Sequence, residues 1–123
     1  MAIARKTSGV RPLETAIVDK RTAGATIIAG QVVALQNDGF VDPADTTAAV
    51  ANGLGVALTD ANAGGTVDVV VYGRVLCVTG ATPAAVVHAS DNAGEPAEAA
   101  GSNAGVLGYA LTSEILFVAP QLA

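Results

Sequence analysis

Apolar positions along this chain come in short valine-rich runs, each bounded by Gly, Asn, Asp or Pro. They fall at 31–35, 39–41, 55–59, 66–72, 74–78, 85–89, 106–111 and 115–119. From Glu14 onward Thr15, Ile17 and Asp19 alternate with Ala16, Val18 and Lys20, a period of two that places a further strand there. Short β-branched runs between turn residues predict an all-β domain of many short antiparallel strands. Asn37-Asp38-Gly39 and Asn62-Ala63-Gly64-Gly65 read as tight turns, because Asn, Asp and Gly tolerate the backbone angles such turns need. Alanine favours helix, but Gly53, Gly94, Gly101 and Gly105 interrupt the Ala-rich stretches, so only 43–51 and 96–100 retain room for a short helical turn. Residues 1–13 show no periodicity and contain Ser8-Gly9 and Pro12. They read as an extended arm with a reach of about 40 Å if straight, followed by one domain over 14–123.

The pattern also repeats. Residues 24–59 and 80–112 both begin Gly-Ala-Thr, continue to a Val-Val pair (Val32-Val33, Val86-Val87), pass a glycine turn with a proline shortly after it, and close on Gly-x-Ala-Leu-Thr (55–59 and 108–112). A Val- or Ile-rich strand follows each. The same features in the same order predict two related β units, about 24–73 and 80–119, which pair into one barrel-like body because neither buries its apolar face alone.

Composition sharpens this picture. The chain has 123 residues, 51% of them apolar, but only two Phe, two Tyr and no Trp. Its core is therefore built from small side chains, and contacts in an oligomer are expected to matter. Apolar runs are too short for a membrane-spanning helix, and the first residues lack the apolar stretch of a secretory signal. Charge is uneven. Residues 1–21 carry Arg5, Lys6, Arg11, Lys20 and Arg21 against Glu14 and Asp19, whereas later residues carry Arg74 against nine acids. A basic arm on an acidic body suits docking on an acidic partner surface. It does not suit nucleic acid, since the body would repel phosphate and the arm has no interleaved aromatics.

Candidate chemistry is sparse. His88-Ala89-Ser90-Asp91 holds triad residue types, but neighbours on one strand cannot converge as a triad. Cys77, the lone cysteine, lies in an apolar run and reads as a small core residue. Asp38, Asp42 and Asp45 lack the spacing of a calcium loop and read as turn residues. Gly53-Leu54-Gly55 lacks the third glycine and the following helix of a dinucleotide site. No catalytic, cofactor or metal residues are expected, which shifts weight to a structural protein made in a reducing cytoplasm.

The motifs Ala-Gly-Gln-Val-Val-Ala-Leu (29–35), Asp-Gly-Phe-Val-x-Pro-Ala-Asp (38–45), Gly-Val-Ala-Leu-Thr-x-Ala-x-Ala-Gly-Gly-x-Val-x-Val (55–69) and Val-Leu-Gly-Tyr-Ala-Leu-Thr (106–112), behind an N-terminal arm, resemble the small capsid decoration, or cement, proteins of tailed bacteriophages. The resemblance implies a β-clip or β-tulip-like barrel bound to the outer surface of the virion, often as a trimer. It further implies that the arm contacts the major capsid protein. Within the arm, Ala4, Arg5, Lys6, Thr7, Arg11 and Leu13 are the expected contact residues, with no nucleic acid or membrane as partner. Two other readings remain beside it. One is a different virion module such as a fibre or tail component. The other is a small β-rich ligand-binding domain, for which Tyr72 and Tyr109 are the available stacking surfaces.

Overall fold

The computed structural model describes residues 3–122, and among them the regular structure is entirely β. The strands are β1 (Ala4–Arg5), β2 (Arg11–Pro12), β3 (Ile17–Thr22), β4 (Val32–Leu35), β5 (Val41–Pro43), β6 (Gly55–Ala57), β7 (Thr66–Leu76), β8 (Val78–Thr79), β9 (Val86–Ala89), β10 (Pro96–Ala97), β11 (Val106–Ala110) and β12 (Ile115–Val118). Every named pairing is antiparallel. The main sheet runs β10-β9-β11-β12-β7-β6-β4-β5, with β2 and β3 on the remaining edge of β7, while β1 pairs with β8 beside it. Both expected turns form: the amide of Gly39 donates to Gln36 O at 3.0 Å, and that of Gly65 to Asn62 O at 2.8 Å. Neither Ala-rich stretch becomes a helical turn. Residues 96 and 97 instead form β10, and the 44–51 segment is held by backbone bonds from Ala44 to Val32, Thr46 to Ser90 and Ala51 to Ala104.

This strand order reads the same from either end. In each half the first strand (β4 or β9) lies between the second (β5 or β10) and the third (β6 or β11), and the fourth follows. The register matches residue by residue. Val33 stands opposite Gly55 and Val56 opposite Val70; in the other half Val87 stands opposite Gly108 and Tyr109 opposite Phe117. The second valine of each Val-Val pair thus faces the glycine of each Gly-x-Ala-Leu-Thr motif. Both glycines are fixed by close approach. A side-chain carbon on Gly108 would overlap the Phe117 carbonyl oxygen, and one on Gly55 would overlap Val69 Cγ1.

β7 joins the halves. The sequence suggests two strands, 66–72 and 74–78, but the structure runs one strand of 11 residues through Gly73. Gly73 has φ +103, a left-handed angle that costs an L side chain energy. A bulge where Ile17 and Val18 of β3 meet Tyr72 and Val70 lies just before it. The face turned to the main core changes parity here, from Val70 upstream to Val75 and Cys77 downstream. One long strand thereby serves two differently oriented half-sheets.

The main core gathers small residues from both halves, including Val32, Val56, Val70, Val75, Val87, Leu107, Leu116 and Val118. A second cluster lies on the other face of the first half, where Val33, Ala57, Val67 and Val69 are covered by a strap over 23–30 carrying Ala23 and Ile27. The strap is fixed by paired backbone bonds between Ile27 and Ala61, at 2.8 and 2.9 Å. The sheet curls until its ends meet. Val32 N donates to Gly94 O at 2.9 Å, and Gly94 N donates to Ala44 O at 2.8 Å. Beside this seam the buried Thr46 donates its hydroxyl to Asp91 Oδ1 at 2.8 Å, and Ser102 donates its amide to the same oxygen at 3.0 Å. The hydroxyl and amide bonds from Ser102, then the bond from Thr46, hold the Asp91 carboxyl below the usual carboxylate range.

Candidate functional site: the N-terminal segment and an exposed aromatic face

The N-terminal segment is extended and folded back onto the body. Ala4 and Arg5 of β1 pair with Thr79 and Val78, and Arg11 and Pro12 of β2 pair with Leu76 and Val75. The amide of Lys6 donates to Cys77 O at 2.9 Å, and that of Leu13 to Arg74 O at 3.0 Å. Ile3 and Val10 pack against the main core. Short strands with little periodicity form here because the body offers bare edges, which supply hydrogen bonds that an isolated segment lacks.

The six expected contact residues therefore lie in different settings. Ala4 and Thr7 are exposed, and Leu13 is half-buried. Arg5 turns inward: its Nε donates to Glu95 Oε2 at 3.1 Å, and its Nη1 to the carbonyls of Lys6 and Ala29 at 3.3 and 3.4 Å. Lys6 Nζ lies 2.9 Å from Glu114 Oε2. Arg11 is exposed and has no ion pair among the described residues. Two of the arm's three cations are thus neutralised by the chain's own carboxylates, leaving Arg11 to face outward.

Arg11 does not stand alone. It is opposite Leu76 on β7, two residues from Arg74, which is itself opposite Phe117. Residues directly opposite in antiparallel strands share a face. Phe117 lies between Tyr72, edge-on with ring centroids 5.3 Å apart, and Tyr109, stacked at 5.4 Å. Three of the chain's four aromatic rings therefore gather in one place, although Tyr72 is 49% and Tyr109 40% exposed. Val86 and Ile17 extend this face at 47% and 56% exposure. Tyr72 and Tyr109 were legible as surface aromatics and Arg74 as the body's lone cation. Their convergence with Phe117 and Arg11 required the strand order.

The other candidates separate. Cys77 is 1% exposed inside the core, and burial pushes its thiol up to about 12. His88 lies between the core residues Val87 and Ala89 on β9, so it points to the opposite face of the sheet. Asp45 bonds the amide and hydroxyl of Thr47, at 2.9 and 2.6 Å, as a turn residue does. Among the described residues no three His, Cys, Asp or Glu side chains converge as a metal site. No protein-family model matches the chain, and no curated protein matches its sequence.

Proposed function

We propose that this chain is a structural capsid decoration protein, which binds the outer surface of an expanded phage head as a homo-oligomer, a trimer in the form its resemblance implies, and stabilises the shell by bridging neighbouring capsomers. The observation that supports this most is the N-terminal segment. It carries the chain's cationic excess and is held to the body by two strands of two residues each and two partly exposed ion pairs. Ion pairs of that kind are individually worth about 0–1 kcal/mol. Such a segment is suited to exchange its own strand partners and carboxylates for those of an acidic shell, with main-chain bonds giving affinity and charge giving encounter rate. Several copies held together multiply that affinity by about 10² or more. The small-residue core fits a protein whose stability is completed by neighbours.

Co-sedimentation with purified heads tests the reading. The chain is expected to pellet with expanded heads, to saturate at a fixed number of copies per head, and to bind more weakly as salt is raised. A chain that stays in the supernatant at every salt concentration would overturn the proposal.

A further inference from the structure

The two halves share a strand order but differ in how their outer faces are covered. In the first half the strap over 23–30 covers Val33, Ala57 and Val69. Five residues separate Gly-Ala-Thr from Val-Val in that half, against three in the second half. The shorter segment places Ala81 in the main core. Val87, Ala110 and Leu116, the counterparts of the strapped Val33, Ala57 and Val69, face the main core instead, so Val86, Tyr109 and Phe117 form the outer face of this half, with Tyr72 beside them. An apolar and aromatic face of this kind marks an interaction surface on a soluble protein.

Charge narrows what covers it. Arg5, Lys6, Lys20 and Arg21 each lie within 3.1 Å of a carboxylate of this chain. Among the described residues Arg11 and Arg74 do not, and both border the aromatic face. Seven carboxylates likewise have no ion pair among the described residues: Glu14, Asp38, Asp42, Asp45, Asp60, Asp91 and Glu98. Two of these, Asp38 and Asp42, flank Phe40, which is 42% exposed immediately before β5. The amide of Phe40 donates to Asp38 Oδ1 at 2.9 Å, and Asp42 Oδ1 lies with Phe40 Cβ against Gly24. The tip of the β4–β5 hairpin is therefore one ring between two acids, and the face on β7, β11 and β12 is a set of rings bordered by two arginines. The two sites lie on different halves, with β6 and β4 between β7 and β5.

We infer that the aromatic face is a self-association site that receives the Phe40 hairpin of a second copy of this chain, with Asp38 and Asp42 against Arg11 and Arg74. The inference rests on the self-association contained in the proposed function, and not on head binding. The contact joins unlike surfaces, so successive copies form a ring if the rotation closes. Phe40 and the tyrosines supply the apolar anchor. The charges set register and reject a copy docked the wrong way round.

Sedimentation velocity over a concentration series tests this, with the wild type, Arg74→Glu, Asp42→Arg and Phe40→Ser. All three side chains lie outside the core, and far-UV circular dichroism checks that each variant is folded. Each variant is expected to weaken association at least tenfold. Mixing Arg74→Glu with Asp42→Arg is expected to raise the mass above that of either variant alone, because every contact between unlike variants joins a surface to its complement. Variants that keep the wild-type mass overturn this interface while leaving self-association through another surface intact. A wild type that is monomeric throughout overturns both. Variants that keep their mass but lose head binding also overturn it, since the face would then belong to the shell.

Discussion

Replacing Gly108 by alanine is expected to destabilise the protein by about 3 kcal/mol, the upper part of the usual range for overpacking a close-packed interior. Gly108 sits between Val87 on β9 and Val118 on β12. The atoms a side-chain carbon would meet are backbone: the Phe117 oxygen and carbon, and the Ala119 nitrogen. No rotamer change relieves such an overlap, so β12 has to move away from β11 and pull Leu116 and Val118 out of the core. The equivalent change at Gly55 meets the buried, β-branched Val69 as well as the Val70 carbonyl, and a comparable loss is expected. Gly39 supplies the control. It lies in a turn with open space around it and φ +87, so alanine there costs only the left-handed backbone strain, about 1–2 kcal/mol. Urea unfolding midpoints at constant slope measure all three. A Gly108→Ala midpoint equal to the wild type would show that the shared register is not what fixes these glycines.

Deleting residues 1–12 is expected to have two effects at once. The sequence, read as a free arm on an independent body, suggests that deletion leaves the body untouched and removes only head binding. The docked segment implies a cost to the body too. Ile3 and Val10 leave the core, at about 1 kcal/mol each for half-buried side chains. The edges of β7 and β8 lose their partners, and the Lys6 amide no longer covers the Cys77 carbonyl. Cys77 reports the change. In the full chain, burial and a thiol pushed up to about 12 make it inert at neutral pH; in the truncated chain, alkylation by a small thiol reagent is expected to be at least tenfold faster. Head binding is expected to be lost in the same variant. A truncated chain whose Cys77 stays protected would contradict the docked segment, and one that binds heads as the full chain does would contradict the segment's role on the shell.

Much of this architecture is legible in the sequence because strand and turn signals are local. Valine alternation located most of the longer strands, and Asn37-Asp38-Gly39 and Asn62 to Gly65 located two of the turns. The pairs Val33–Gly55 and Val87–Gly108 join motifs that the sequence repeats, but which strands pair was not legible from the motifs alone. Other features depend on contacts far apart in the chain. Gly73 and Arg74 look like a break between strands, and only the packing of Gly73 against Thr15 and Ala16 shows why the chain continues through them. β1, β2, β8 and β10 are two residues long, too short to carry a period. The partners of Arg5 and Lys6 lie 90 and 108 residues away, so the inward turn of the basic segment had no local signal. The aromatic face has the same origin, because its rings come from three strands.

In the proposed function the chain strengthens a shell. Heating expanded, DNA-filled heads with and without saturating protein, and following dye binding to released DNA, measures this directly. A higher release temperature is expected with the full chain, and no change with the 1–12 deletion. An unchanged release temperature at full occupancy of the heads by the full chain would contradict that function.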